Sequence, residues 1–176
     1  MGQEVSSAAF TREDRLAYRH KVLQSLDVFE HMLEQSRFDF TRPQMGLEIE
    51  LNLVDGNLDP ALINGAVLKD LEGSEFDFQA EVGRYNIEMN VAPRPMAGDQ
   101  AVRLERWLNE SLRRAGDAAR GHGAQVAAVG ILPTLMQELF DGDWLSLGVR
   151  YTALNNAILA ERGEGLELDI EGPTGE

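Results

Sequence analysis

The chain has 176 residues, a length that suits one domain with a sizeable core, and it carries 30 Asp and Glu against 16 Lys and Arg, a formal charge of −14. That charge argues against nucleic acid and anionic membrane as partners, because both reward basic patches. Cysteine is absent, which excludes disulfides, zinc–thiolate sites and cysteine nucleophiles.

The first ten residues, Met1 to Phe10, have no basic segment followed by an apolar one, so they do not read as a signal peptide. Residues 1–10 are expected to be flexible. No apolar run approaches the ~20 residues of a membrane span, and the cytoplasm is the expected location.

Thr11 followed by Asp14 is a near capping box, and the spacing predicts a long helix from Arg12 to about Gln35. Leu16, Leu23, Leu26, Phe29 and Leu33 recur at steps of three, four and seven, with Val22 and Met32 beside them. They predict one buried stripe. Pro43 forbids continuation of the helix.

From Met45 the period changes to two. Leu47, Ile49, Leu51 and Leu53 alternate with Glu48, Glu50 and Asn52, the pattern of a half-buried strand that Asp55-Gly56-Asn57 ends as a turn. A short helix is expected from Gly65 to Leu71. A second alternating run places Tyr85, Ile87, Met89 and Val91 on one face and Asn86, Glu88 and Asn90 on the other, with Pro93 and Pro95 expected to close it.

Asp99 is expected to cap a helix to about Arg120, with Val102, Leu104, Leu108, Leu112, Ala115 and Ala119 inward and Gly121 and Gly123 as its stop. The apolar run Ala124 to Leu132 reads as a central strand. A helix near Val149 to Glu161 and a strand from Leu166 to Ile170 follow. The chain then closes on a turn with no return strand, which reads as the N-terminal part of a longer catalytic domain, inactive alone. The expected fold is α+β: an antiparallel sheet with the helices from Arg12 and Asp99 packed on its apolar face, burying Leu47, Ile49, Leu51, Ile87 and Met89.

If the two alternating strands are neighbours, Glu48, Glu50, Glu88 and the nearby Glu81 fall on one patch. Two carboxylates about 4 Å apart repel by ~4 kcal/mol at an effective dielectric near 20. Such a set must be spread into solvent, partly protonated or neutralised by a cation. A wet sheet face is the common origin of this alternation. Wet faces, however, usually mix Lys, Arg, Thr and Ser for cross-strand pairing, whereas these strand cores carry only Glu and Asn. Hard carboxylate oxygens select Mg²⁺, Mn²⁺ or Ca²⁺.

Other residues offer less. His20, His31 and His122 have no metal-ligand spacing, Ser111 and Ser146 lack a triad context, and Gly121-His122-Gly123 reads as a helix stop rather than a phosphate loop. Arg94 and Arg150 could contact phosphate or carboxylate, although both also fit ordinary surface arginines.

The stretch Met45-Gly-Leu-Glu-Ile-Glu-Leu-Asn, then Glu81-Val-Gly-Arg-Tyr-Asn-Ile-Glu88-Met-Asn-Val-Ala-Pro, resembles the glutamate–cysteine ligase family, in its bacterial carboxylate–amine ligase branch of the actinobacterial type. The opening Met-Gly-Gln-Glu-Val-Ser-Ser, Arg37-Phe-Asp-Phe, Gly130-Ile-Leu-Pro-Thr-Leu and Arg150-Tyr151 fit the same branch. The resemblance implies part of a glutamine-synthetase-like catalytic domain that uses ATP and Mg²⁺ or Mn²⁺ to join the glutamate side-chain carboxylate to an amine such as cysteine, through an acyl phosphate, in biosynthesis of the glutathione type. It implies metal binding by Glu48, Glu50, Glu81 and Glu88, and substrate or nucleotide contacts by Asn86, Arg94 and Arg150. A homo-oligomer is compatible with it.

Many members of that branch carry Gly-Thr-His-Pro where this chain reads Gly130-Ile-Leu-Pro133, so one histidine role is absent or reassigned here. The alternative to a ligase segment is a non-catalytic acidic module that binds divalent cations or a protein partner.

Overall fold

The computed structural model describes residues 5–38 and 41–163, and these build an α+β arrangement around a four-stranded antiparallel sheet. The elements run α1 (Arg12–Glu34), β1 (Gln44–Val54), α2 (Asn64–Leu71), β2 (Asp77–Ala80), β3 (Asn86–Pro95), α3 (Gln100–Gly121), β4 (Gln125–Ala127), α4 (Gln137–Phe140) and α5 (Val149–Arg162). The strand expected from Leu166 to Ile170 lies outside the described residues.

The long strands form where the period-2 pattern places them, and they pair with each other: Leu47 lies opposite Val91, Ile49 opposite Met89 and Leu51 opposite Ile87. This register stacks the apolar residues of both strands on one face. Leu51, Leu53, Ile87 and Met89 are fully buried. Leu51, Leu53 and Ile87 pack with Val67 and Leu71 of α2 and Ala115 and Ala119 of α3. Small residues on the inner face of α3, including buried Ser111 and Gly116, let that helix approach closely. Leu47 and Ile49 are half-buried, since burial along β1 falls off toward Gln44.

β2, which the sequence reading passes over, adds to the outer side of β3 and gives the order β2-β3-β1-β4. β3 does not close at Pro93. It runs through Pro93 to Pro95, because β2 pairs no further along it than Asn90, and beyond that point β3 is an edge, where proline's missing donor is tolerated. The run Ala124 to Leu132 is not a central strand. Only Gln125–Ala127 pairs, at the sheet edge beside β1. The Asn52 amide donates to the carbonyl of Val129 at 3.0 Å, taking up an acceptor that a longer ladder would use. Leu132 turns inward to pack with Val54 and Tyr85.

The helix termini follow the sequence with one exception. In α1 the capping box forms, the Thr11 hydroxyl accepting from the Asp14 N–H and the Asp14 carboxylate accepting from the Thr11 N–H at 2.8 Å. At α3 the Asp99 side chain makes no cap bond; it accepts instead from Arg103 Nε at 2.9 Å. Gly123, with φ of +75°, provides the left-handed turn after α3 that other residues rarely adopt.

The largest departure is α1. The stripe expected to be buried is exposed, and no residue of the helix is buried. Periodicity shows which side chains share a face, not what covers it. Here α2 and α3 already cover the sheet's apolar face, and Val102 of α3, expected inward, is also exposed. Among the described residues no helix is long and apolar enough to cross a membrane.

Stability should therefore be concentrated in the sheet and its two covering helices. Ile87→Ala should cost about 3 kcal/mol in chemical denaturation, whereas Tyr18→Ala, at a position 71% exposed on α1, should change stability by less than ~0.5 kcal/mol.

Candidate functional site

The register that makes the core also makes the opposite face. Across β2, β3 and β1, one row reads Asp77, Asn90 and Glu48, and the next reads Gln79, Glu88 and Glu50. Asn86 and Asn52 form the following pair. Directly opposed side chains in an antiparallel pair have Cβ atoms about 4.5–5.5 Å apart, so Glu50 and Glu88 are immediate neighbours and Glu48 lies diagonally from Glu88. Glu88 and Asn90, on the central strand, are buried, while Glu48 and Glu50 are exposed.

Glu81 follows β2 by one residue and is held beside the pair by a dense set of hydrogen bonds. The Ser146 hydroxyl donates to the Glu81 carbonyl, and the Tyr151 hydroxyl of α5 donates to the carbonyl of Ala80. The Ser146 N–H donates to Val82 O at 2.8 Å, the Arg84 N–H to Trp144 O at 2.7 Å, and the Asn64 amide to the Ser146 hydroxyl at 2.8 Å. The Arg84 guanidinium also pairs with Asp143 at 2.7 Å. Gly83 is required within this corner: a Cβ there would lie 2.7 Å from the Tyr85 ring and 2.8 Å from the Asn86 side-chain oxygen.

These contacts set the electrostatics. Burial pushes the Glu81 carboxyl above the ordinary carboxylate range; the hydrogen bond from the Val82 N–H opposes this, the charges of Glu88 and Glu50 add to it, and Arg150 opposes it. Tyr85 is raised as well, by burial first and then by Glu50. Glu50, Glu81, Glu88 and Arg150 therefore share one electrostatic neighbourhood. The Arg150 guanidinium lies over the Tyr151 ring, 5.2 Å from its centroid.

The other residues singled out in the sequence divide differently. The Asn86 amide donates to Asn52 Oδ1 at 2.7 Å, so that pair serves the sheet. Arg94 is turned away from the acidic face. Between Leu47 paired with Val91 and Met45 paired with Arg94 the ladder takes one extra residue of β3, a bulge that reverses the alternation. Arg94 thus stacks over Trp107 of α3, 5.2 Å from the ring centroid. It still borders an open groove of about 640 Å³ that Glu48, Asp77, Asn90 and Trp107 also line. Neither polar atom of the buried Asn90 amide has a hydrogen-bond partner there.

Asp77, Gln79 and Asn90 complete the polar face, and only Asn90 was visible as part of it. The alternation Asp77-Phe78-Gln79-Ala80-Glu81 carried the missing signal, in a strand too short to stand out. His122, His31, Ser111 and Ser146 have structural contacts. His122 Nε2 lies 2.9 Å from Asp70, His31 Nδ1 lies 2.8 Å from the Asp27 carbonyl, and the Ser111 hydroxyl donates to Trp107 O at 2.7 Å.

Chemically the site offers hard oxygen donors and one adjacent guanidinium. Among the described residues no group of three acidic or histidine side chains is disposed to hold a metal ion by itself. A pair of carboxylates suits Mg²⁺ bound together with phosphate oxygens and water, the usual mode for that ion, better than a resident ion in an all-protein cage. Comparison of the chain with known protein families, with curated proteins and with solved structures gives no match.

The raised Glu81 carboxyl has a defined linkage. A carboxyl whose folded pKa exceeds its unfolded value stabilises the fold below the unfolded pKa and loses that contribution as pH rises through the folded pKa. Glu81→Gln, which removes the charge, should raise the melting temperature at pH 7, with the gain disappearing below about pH 4. Melts of both proteins across that range check it; an equal difference at both ends would contradict the assignment.

Proposed function

We propose that this chain carries the metal- and nucleotide-facing sheet of an ATP-dependent ligase of the glutamate–cysteine ligase kind, joining the side-chain carboxylate of glutamate to an amine such as cysteine. The observation that supports this most is the direct opposition of Glu50 and Glu88 in mid-sheet. Like charges directly opposed across strands destabilise a sheet, and a dication turns that repulsion into attraction. The resemblance of the segments around Glu48–Glu50 and Glu81–Glu88 to that ligase family points to the same residues.

In this reading Glu50 and Glu88 supply carboxylate oxygens for Mg²⁺ or Mn²⁺, with Glu48 extending the set along β1. When bound, the cation offsets the charge on the phosphoryl group as it passes from ATP to the glutamate carboxylate. Arg150, which acts electrostatically on Glu81, suits an anionic carboxylate or phosphate. The chain then needs no nucleophile of its own. The glutamate carboxylate attacks the terminal phosphorus of ATP as ADP leaves, and the amine, giving up a proton, displaces phosphate from the resulting acyl phosphate. The protein's task is positioning and charge compensation.

A second reading is favoured by the lack, among the described residues, of three acidic side chains disposed around one ion. It is a non-catalytic acidic module that binds cations or a protein partner through the same face.

Calorimetric titration separates the two. The ligase reading predicts saturable binding of Mg²⁺–ATP that weakens ~10-fold or more in Glu50→Gln and in Glu88→Gln, with thermal stability of the variants unchanged or raised. Mg²⁺ binding that is indifferent to ATP supports the module. Unaltered Mg²⁺–ATP affinity in both variants removes the metal assignment.

A further inference from the structure

We propose that α1 is a self-association helix, through which two copies of this chain pair in antiparallel orientation. The proposal is independent of the ligase reading. Its starting point is the exposed stripe: Leu16, Leu23, Leu26, Phe29 and Leu33 are between 50% and 56% exposed, and no residue of this 23-residue helix is buried. A contiguous apolar stripe of this kind, rimmed by charge, marks an interaction surface.

The order of residues along the stripe identifies the occupant. Written as a heptad, Leu16, Leu23 and Glu30 take the a positions and Arg19, Leu26 and Leu33 the d positions. In an antiparallel pair each a residue faces a d residue of the other copy. One register then places Leu16 against Leu33, Leu23 against Leu26 and Arg19 against Glu30, and two-fold symmetry repeats every layer.

The match extends beyond the seam. The N-terminal half of α1 carries Arg12, Arg15, Arg19 and Lys21 against Glu13 and Asp14, a net positive charge, and the C-terminal half carries Asp27, Glu30 and Glu34 beside His31, a net negative one. Antiparallel packing sets the basic half against the acidic half, so charge complementarity and apolar matching choose the same register. Val22 and Phe29 widen the seam on one flank, where Val22 lies beside Phe29 of the other copy. His20 lies on the other flank, between Asp27 and Glu34 of the other copy. A parallel pair fails on the same residues, because Arg19 would face Arg19 and Glu30 would face Glu30. The Arg19–Glu30 layers thus act as polar layers that fix orientation and register.

The experiment is sedimentation equilibrium of the whole chain up to ~100 μM, with charge reversals on α1. The expected mass is twice the 19.5 kDa of one chain. Arg19→Glu and Glu30→Arg should each weaken the dimer ~10-fold or more, and the double variant should restore it, since it exchanges the signs of a matched pair. Because α1 contributes nothing buried, each variant should keep the wild-type thermal melt of the sheet domain when measured as dilute monomer.

The lack of native cysteine permits a second readout. Leu26→Cys, whose two copies lie roughly 4.5 Å apart along the pair, should cross-link into a covalent dimer under mild oxidation, while Leu16→Cys should not, its two copies lying roughly 25 Å apart. A wild-type chain that stays monomeric throughout the concentration range overturns the proposal. So does a dimer that ignores the single charge reversals, or one that Leu16→Cys cross-links as readily as Leu26→Cys.

Discussion

Side chains alternate along a strand, so the antiparallel pairing of β1 with β3 distributes every residue of both strands in a single step. Opposing Leu51 to Ile87 and Ile49 to Met89 directs the large apolar side chains toward α2 and α3. The same step opposes Glu50 to Glu88 and Glu48 to Asn90 on the other face. A slip of one residue would exchange the faces and send carboxylates into the core, at a cost no sheet of this size could absorb. The hydrophobic core therefore holds the acidic face in place. It forces two carboxylates together in mid-sheet whether or not a cation is present.

The remaining elements adjust what that pairing creates. β2 extends the rows with Asp77 and Gln79, making β3 a central strand and burying Glu88 and Asn90. The bulge in β3 commits Arg94 to Trp107, and the positive charge felt by Glu81 comes from α5, at Arg150. The segment from Asp143 to Tyr151 braces the corner that carries Glu81. Gly83 allows the chain to turn tightly there. Positioning of the glutamates thus draws on residues more than sixty positions apart in the chain.

Much of this was legible in the amino-acid pattern, and the failures have physical causes. The long strands and α3 announce themselves through sustained periods of two and 3.6. Pairing β1 with β3 then places Glu48, Glu50 and Glu88 without further information, whereas Glu81 depends on a corner braced from the segment Asp143 to Tyr151. β2 was missed because four residues of mixed character give a weak period. β3 was cut short because prolines read as terminators, although an edge tolerates them. The run from Ala124 has the apolar content of a central strand, but Asn52 captures the Val129 carbonyl and the ladder ends at Ala127. The exposure of α1 lay beyond local pattern altogether. An amphipathic helix records that a face is to be covered and leaves open whether the cover comes from within the chain.

The most direct measurement is paramagnetic relaxation by Mn²⁺ in NMR spectra of the chain, at substoichiometric ion in the presence of ATP. If the β1–β3 register builds a cation and nucleotide site, amides of residues 48–50, 79–81 and 86–90 should broaden first and together, and Glu88→Gln should abolish that selectivity. Broadening spread evenly over exposed acidic segments such as Glu72 to Glu75 would contradict it, and would leave the acidic face as a solvated surface of the sheet.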